Sequence, residues 1–309
     1  MESRWLEAFI AVAEEMHFGR AAERLHMSQS PLSQMIRRLE ASLGVELFER
    51  STRYVSLAPA GFAMLPHARA ALAEMRAAAD AARGARGEVH GRLRVGFSGA
   101  HNHWSLPTLA RTVRERYPLI ELEFIAGVRT TDGIRRLLSG DLDLAFIGVL
   151  GALRPPLEAR VIGVRRFGLV VSVDHPLAGG GPVEVSRLRD EPFVMPPSDG
   201  SSSLVDAVLA ICRTAGFVPE VKQTISDPFI ALTLVAAGVG VSLHSSEMQP
   251  ILPADCAWVE LAGTPTLFRH GLAWNGESIS PALAAVVGVV EEEMVDHDRH
   301  DADDFVFSA

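Results

Sequence analysis

Two short helical patterns separated by only three residues place the strongest constraint on the fold of this chain. Apolar residues at helical spacing predict one helix over 3–15, a second over 19–25 and a third over 29–43. The intervening segment 26–28 has room for a tight turn and nothing longer. Two helices joined in this way form a helix-turn-helix, whose second helix can enter the major groove of DNA. A plain helical bundle with a solvated polar face is equally compatible with the periodicity.

The third predicted helix carries an outward face that suits DNA. Ser28 or Ser30 can cap its start, and Gly44 ends it. Glutamine and arginine can pair with base edges, whereas serine and arginine suit phosphates. Two short strand patterns around a basic tip follow, as in a wing that contacts the backbone or the minor groove. The residues predicted to bind DNA are Ser28, Gln29, Ser30, Ser33, Gln34, Arg37, Arg38, Arg50 and Arg53.

The identities of the residues in this first region of the chain are more specific than the helical spacing of its apolar positions. Without a gap, the run FGRAAERLHMSQSPLSQMIRRLEASLGVELFER and the motif VSLAPAG closely resemble the DNA-binding domain of LysR-type transcriptional regulators. Ala58 departs from the family pattern, which usually has a helix-capping threonine there. The resemblance implies a winged helix-turn-helix domain over residues 1–58. The motifs HFGRAA and DPFIALTLVAAGVGVSL are similar to those of regulators of aromatic-compound catabolism.

An alanine-rich helix is predicted from Pro59 to about Gly84, with apolar residues every three and four positions. Such a seam is typical of a helix that pairs with a partner, and a helix packed on its own domain is the alternative. Pro66 is expected to kink the helix or shift its start. In the family this helix joins two DNA-binding domains, so the resemblance implies a homodimer or homotetramer. The predicted partner contacts, within a linker and hinge segment over 59–90, are Leu65, Leu72 and Met75.

The net charge of -9 does not exclude DNA, because the charge is unevenly distributed. Residues 291–304 hold eight acids and one arginine, and the rest of the chain has 28 basic against 30 acidic residues. We expect 296–309 to be a solvated, disordered acidic tail. His297 and His300 could bind a metal among these acids, but a tail without metal is the favoured interpretation.

Beyond residue 91 the pattern alternates between strands and helices, which predicts an α/β layout with largely parallel sheets. Resemblance to the same family extends here and implies a two-lobed fold like that of periplasmic binding proteins. On that basis lobe I covers 91–162 and 269–295, and lobe II covers 163–268. Strands are predicted near 93–97, 120–126, 142–147, 167–173, 193–195, 222–225, 240–243 and 271–274, and helices near 104–117, 131–139, 203–215, 228–238 and 281–294.

Four loops that lead from a strand into a helix form the candidate ligand site. The carboxyl ends of parallel strands bind ligands in such sheets, and helix N-termini with hydroxyl donors favour anions. A small anionic effector, a carboxylate, is therefore expected, although each hydroxyl could instead cap its helix, as Asp227 before Pro228 could. In the family, Ser98, Thr130 and the 201–203 stretch match positions that commonly face the effector. The predicted effector-binding residues are Ser98, Gly99, His101, Asn102, Thr130, Thr131, Ser201, Ser202, Ser203 and Asp227.

Three further histidines leave two interpretations open. The loop that contains His101 and His103 could set effector identity, or its histidines could simply be exposed. His244 could line the cleft, or it could be a hydrogen-bonded residue of the wall.

The two cysteines do not form an evident redox pair. Cys212 lies beside an apolar helical face and Cys256 is distant from it in sequence, so a core role is favoured over redox sensing.

The remaining sequence signals narrow the class of protein. No apolar run reaches the roughly 18 residues of a membrane span, and the N-terminus does not resemble a secretory signal, so a cytoplasmic protein is expected. No phosphate-binding loop, nucleophile elbow or zinc-protease motif is present in the sequence. The leading hypothesis is a transcription factor that needs no cofactor and binds double-stranded DNA and an effector, with RNA polymerase as a further candidate partner. A solute-binding module or an enzyme on the same two-lobed fold is the alternative.

Overall fold

The computed structural model describes residues 2–50, 55–84, 89–99, 102–149, 151–263 and 266–295. Its contacts divide the chain into two compact units. The first runs up to Glu88 and also includes Leu138–Asp141, and the second contains the rest. The predicted acidic tail over 296–309 lies outside the described residues.

The first unit has the element order of a winged helix-turn-helix followed by a long helix. The helices α1 and α3 have the bounds that their apolar spacing predicts, and α2 begins one residue earlier than predicted. Strands β1 and β2 pair antiparallel, with Phe48 opposite Leu57. The elements are α1 Ser3–Glu15, α2 Phe18–Arg24, α3 Gln29–Leu43, β1 Phe48–Arg50, β2 Val55–Leu57 and α4 Pro59–Gly84.

Backbone geometry explains where these helices begin and end. Gly44 closes α3 in the left-handed conformation with φ of 71°, which glycine adopts without steric cost. Ser28 occupies the N-cap position of α3, but its side chain makes no capping hydrogen bond with the described residues. Helix α2, in contrast, has a side-chain cap: His17 Nδ1 accepts the N–H groups of Gly19 and Arg20 at 3.0 and 3.2 Å.

The long helix α4 packs partly on its own unit. It continues through Pro66, so the proline does not shift the start of the helix. Leu72 is buried in the core of the unit, and Leu65 packs at the edge of that core. The prediction that Leu72 faces a partner is therefore wrong, because its side chain is already covered. Met75 is 54% exposed and Phe62 is 63% exposed on the same helix.

The second unit is an α/β structure with a mixed sheet. Its elements are β3 Gly91–Phe97, α5 Ser105–Arg116, β4 Ile120–Ala126, α6 Thr130–Leu138, β5 Leu144–Gly148, β6 Leu157–Ser172, β7 Pro192–Met195, α7 Ser203–Thr214, β8 Glu220–Thr224, α8 Pro228–Ala236, β9 Ser242–Ser245, β10 Cys256–Glu260, β11 Leu267–Asn275 and α9 Pro281–Glu293. Short 3-10 helices span Val185–Leu188 and Ser246–Ile251. Among the described helices, none has the length and apolar content of a membrane span.

Two long strands connect the lobes of this unit. Strand β11 pairs antiparallel along its full length with residues 157–166 of β6, with an irregularity in register between His270 and Gly271. At one end of this pair β5, β3 and β4 extend the sheet, and at the other end β9 and β10 pair with β6. We call the first end with α5, α6 and α9 lobe I, and the second end with β7, β8, α7 and α8 lobe II.

The sheet is less parallel than predicted. Strands β3, β4 and β5 run parallel to one another, as do β7 and β8, whereas every pairing that involves β6 or β11 is antiparallel. Each lobe has its own apolar core, centred on Leu109, Leu144 and Trp274 in lobe I and on Leu169, Phe193 and Val208 in lobe II. The loops at the strand ends therefore rest on two packed bodies that share β6 and β11.

Candidate functional site

Helix α3 separates a buried side from an exposed polar side. Leu32, Ile36 and Leu39 are fully buried on its inner face. Of the outer residues predicted to contact DNA, Ser33 is half-buried, and the others on this helix and its cap are exposed. These exposed residues are Ser28, Gln29, Ser30, Gln34, Arg37 and Arg38.

The wing is tied to α3 by one carboxylate. Glu40 Oε1 accepts the backbone N–H groups of Leu47 and Phe48 at 3.0 and 3.3 Å. This contact fixes the first wing strand relative to the exposed helix face, and sequence reasoning did not assign it. Arg50 ends β1, and Arg53 lies outside the described residues.

The strand-to-helix loops of the second unit open onto a cleft between the lobes. Its volume is about 750 Å³, part of which is open to solvent. Four of the predicted effector residues line it: Ser98 after β3, Thr130 at the start of α6, and Ser202 and Ser203 at the start of α7. The Thr130 and Ser203 hydroxyls lie 2.8 Å apart and so join lobe I to lobe II.

Arg129, a cation that sequence reasoning missed, precedes Thr130 in the chain and also bridges the two lobes. Arg129 donates to the Ser201 hydroxyl at 2.8 Å and to the Ser226 hydroxyl at 2.9 Å, and its guanidinium is 3.4 Å from Asp199. Its side chain is only 23% exposed. Hydrogen bonds from Ser201 lower the pKa of Asp199, which keeps that carboxylate ionised beside the guanidinium. The position next to Thr130, in a loop already singled out, was the signal that could have found Arg129.

The remaining walls of the cleft are apolar and aromatic. Phe146 on β5 and Phe268 on β11 line it from the strands, and the ring of His270 lies 5.9 and 6.5 Å from their centroids. His244 also lines the cleft, where its Nε2 is 2.9 Å from the Ser242 hydroxyl. Both interpretations of His244 are therefore met, because it is a hydrogen-bonded wall residue that faces the cleft.

A buried polar cluster contacts His270, one of the residues that line the cleft. Glu247, 1% exposed, accepts a hydrogen bond from Trp104 Nε1 at 3.1 Å, and its Oε1 lies 3.4 Å from His270 Nδ1 and 3.6 Å from Arg165 Nε. Burial alone would raise the pKa of Glu247, but the contacts with His270, Trp104 and Arg165 hold it below the ordinary value. Asn102 is 1% exposed and belongs to this cluster, so its predicted effector contact is corrected to a supporting position.

Four other predicted effector residues do not line the cleft. Asp227 accepts the N–H groups of Phe229 and Ile230 at 2.8 and 3.0 Å, so it is the cap of α8. Thr131 donates its hydroxyl to Gly200 O at 2.9 Å, and its N–H donates to Ser201 O, which links the lobes outside the lining. Ser201 acts through Arg129 and Asp199, and Gly99 supplies a backbone turn with φ of 98°. His101 lies outside the described residues.

The two thiols are poorly placed for redox chemistry. Burial raises the pKa of Cys212 to about 11. Burial and the nearby charge of Asp255 raise the pKa of Cys256. Because the thiolate is the reactive form, both residues are less nucleophilic than ordinary cysteines. Among the described residues, no group of three or more histidine, cysteine or acidic side chains could hold a metal ion.

Two family models match this chain. The model of bacterial regulatory helix-turn-helix proteins of the lysR family matches residues 3–62, and the LysR substrate binding domain matches residues 86–295. The chain is 43% identical to the HTH-type transcriptional regulator ShiR of Corynebacterium glutamicum (strain R), over 94% of this chain and 98% of that protein. It is 34% identical to the HTH-type transcriptional regulator AlsR of Bacillus subtilis (strain 168), over 92% and 93%.

Solved structures of regulators share the fold. The crystal structure of CbnR, a LysR family transcriptional regulator, has a TM-score of 0.71 at 30% identity and covers 96% of this chain and 100% of its own. Full-length CbnR complexed with its target DNA has a TM-score of 0.69 at 30% identity, with 94% and 99% covered. The exposed face of α3, the wing and the two-lobed cleft thus occur in the order that the family models describe, and the chain belongs to the LysR family of DNA-binding transcriptional regulators.

Proposed function

We propose that a small carboxylate effector binds in the cleft and alters how this regulator binds or bends its DNA. The observation that carries the proposal is Arg129, a largely buried guanidinium held among serine hydroxyls between the lobes. A guanidinium can bind a carboxylate with two parallel hydrogen bonds, and its interaction strengthens when water is excluded. The cleft needs no cofactor for this role.

Both lobes contribute groups that an anion can use. Lobe I supplies Ser98, Arg129 and Thr130, and lobe II supplies Ser203 and Ser226. A ligand that contacts both sides favours the arrangement in which these groups converge, and so shifts the population of lobe arrangements. Phe146 and Phe268 provide flat apolar walls, which suit the ring of an aromatic or related cyclic acid.

The DNA-binding part of the proposal rests on α3 and the wing. The exposed glutamines and arginines of α3 read base edges, and the wing contacts the backbone. We infer that the functional form is a homodimer or homotetramer, because α4 exposes Phe62 and Met75 on a long helix. A dimer would read an inverted repeat of half-sites. RNA polymerase is the proposed partner for transcriptional output.

The test combines DNA footprinting with an effector screen. The DNA upstream of the gene is footprinted with the wild-type protein, and benzoate, muconate and related small carboxylates are then titrated by calorimetry. We expect at least one acid to bind and change the footprint, and Arg129→Gln to abolish this response while it retains DNA binding. Arg135→Gln is the matched control, since Arg135 is an exposed arginine of α6 outside the cleft lining. An Arg129→Gln protein that responds like the wild type would overturn the proposal.

A further inference from the structure

The positive charge of Arg129 already has an opposite charge beside it within the protein. Among the described residues that line the cleft, Arg129 is the one whose side chain always carries a charge. Its Nη1 lies 3.4 Å from Asp199 Oδ2, in a contact that crosses from lobe I to lobe II. The Asp199 side chain is 54% exposed and does not belong to the described lining. The carboxylate therefore meets the guanidinium beside the cleft and not within it.

The loop before α7 fixes the orientation of the Asp199 carboxylate. Its Oδ1 accepts the backbone N–H of Ser201 at 3.0 Å and also accepts the Ser201 hydroxyl. An aspartate that accepts the N–H group two residues later forms an Asx turn. The same bonds lower the pKa of Asp199, so its carboxylate is ionised at neutral pH. Oδ2 is thus the oxygen that faces Arg129.

Two hydrogen bonds of Thr131 hold this loop against lobe I. The Thr131 hydroxyl donates to Gly200 O at 2.9 Å, and the Thr131 N–H donates to Ser201 O at 3.2 Å. The place of Asp199 beside Arg129 therefore does not depend on the ion pair alone. Asparagine at this position would keep an oxygen that can accept the Ser201 N–H. Asp199→Asn thus removes the charge and leaves the bonds that hold the loop.

The contact between Arg129 and Asp199 is incomplete for a guanidinium and a carboxylate. Strong pairs of this kind use two parallel hydrogen bonds of about 2.7–2.9 Å. Here Nη1 makes a single contact of 3.4 Å, and Nη2 donates instead to the Ser226 hydroxyl at 2.9 Å. The Arg129 Nε makes no hydrogen bond with a described residue. Asp199 thus opposes the charge of Arg129, while the edge formed by Nε and Nη2 keeps donors for another anion.

We propose that Asp199 is a specificity-determining residue that lowers the affinity of Arg129 for small anions without an apolar group. Every anion that approaches Arg129 also meets the negative charge of Asp199, which offsets part of the attraction. Acetate gains little beyond that attraction, whereas a larger acid also buries apolar surface on Phe146 and Phe268. The selection of an effector in this way rests on the proposed function, whereas the effect of Asp199 on Arg129 does not.

The test measures how fast phenylglyoxal, a dicarbonyl that modifies guanidinium groups, reacts with Arg129 in the full-length, ligand-free protein. Mass spectrometry of peptides gives the rate at each arginine, with the exposed Arg38 of α3 as an internal reference. Asp199→Asn should raise the rate at Arg129 about two- to fivefold, because a partly exposed ion pair is removed. Acetate is then added as a carboxylate without a ring. It should protect Arg129 at a concentration about two- to fivefold lower in Asp199→Asn than in the wild type.

Salt separates an effect of charge from a change in structure. Sodium chloride screens an ion pair, so it should raise the wild-type rate at Arg129 relative to Arg38. Asp199→Asn should lose this dependence, which a purely structural role of Asp199 would not alter. Asp190→Asn is the matched control, because Asp190 is an exposed aspartate of lobe II that makes no ion pair with a described residue. It should match the wild type in reaction rate and in protection by acetate.

Each result decides for or against the proposal. An unchanged reaction rate at Arg129 in Asp199→Asn, or no gain in protection by acetate, would overturn it. If Asp199→Asn does not fold, the wild-type salt dependence decides, and a rate at Arg129 that follows Arg38 at every salt concentration would contradict the proposal. The probes are phenylglyoxal and acetate, so a failed effector screen leaves the result intact.

Discussion

At the scale of single residues, some positions in this structure leave no room for a side chain. A Cβ atom at Gly61 would lie 2.2 Å from the backbone oxygen of Leu47 and 2.7 Å from Leu57 Cδ2. The start of α4 therefore packs directly against Leu47, the residue before β1, and against Leu57 at the end of β2. Gly288 in the middle of α9 is the opposite case, since its added Cβ would meet no heavy atom within 4 Å.

These two glycines should respond oppositely to the same substitution. Gly61→Ala forces the helix away from the wing and should lower the free energy of unfolding by about 1–3 kcal/mol. Gly288→Ala adds a favourable helix residue in open space and should raise it by about 0.5–1 kcal/mol. Urea unfolding followed by circular dichroism measures both. If Gly61→Ala had the same free energy of unfolding as the wild type, the backbone near Leu47 would accommodate the added methyl group without loss of stability.

At the scale of elements, amphipathic helices were the most predictable part of the chain. Helices α1 and α3 have apolar residues on one face only, so their spacing alone gave their bounds. The first half of β6 was missed because arginines at 160, 165 and 166 interrupt its apolar alternation, although this half of the strand pairs throughout with β11. Strand β10 was missed because it is short and gains its stability from pairing with β6.

The cap of α8 provides a test at this scale. Asp227 accepts two N–H groups of the first turn, so Asp227→Ala should lower the free energy of unfolding by about 0.5–2 kcal/mol. Asp227→Asn retains a capping oxygen and should stay within a few tenths of a kcal/mol of the wild type. Thermal unfolding of both variants checks this. Loss of the effector response in Asp227→Asn at unchanged stability would restore Asp227 to the binding site.

The DNA-facing helix provides a second test at this scale. Gln29→Ala should reduce discrimination between operator and altered sequences, by about 1–3 kcal/mol for the base pair that it reads. Arg53→Ala should instead weaken binding to all sequences and reduce its salt dependence, because a phosphate contact is lost. Gel shifts on matched and mutated operators at several salt concentrations separate the two effects. The exposed Glu7 of α1 serves as the control, and the assigned reading surface is wrong if both variants bind like Glu7→Ala.

At the scale of the whole molecule, the cleft is assembled from segments far apart in the sequence. The strand-to-helix rule found Ser98, Thr130, Ser202 and Ser203, since it depends only on local order. It could not find His270 or Glu247, because no local pattern indicates that β11 and a short 3-10 helix meet behind the Ser98 loop. The same rule wrongly included Asp227, because an aspartate at the start of a helix can either cap the helix or contact a ligand, and the sequence does not distinguish the two roles.

The buried carboxylate predicts a pH dependence of stability. The contacts of Glu247 hold its pKa below the ordinary 4.5, so the ionised form stabilises the fold at neutral pH and this contribution is lost as the pH falls through the lowered value. We expect the difference in unfolding free energy between the wild type and Glu247→Gln to be large near neutral pH and to shrink below about pH 4. Urea unfolding across pH measures it, with Glu7→Gln as an exposed control. A pH-independent difference would mean that the charge of Glu247 contributes no stability.

The continuous pair of β6 and β11 restricts how the two lobes can move. A single flexible peptide link would let the lobes swing freely, whereas two hydrogen-bonded strands deform mainly by a change in their twist. The irregularity at His270 and Gly271 is the point where local twist changes most easily. Effector signals in this protein should therefore travel as a small change in the twist of the paired strands, and not as a free swing of one lobe against the other.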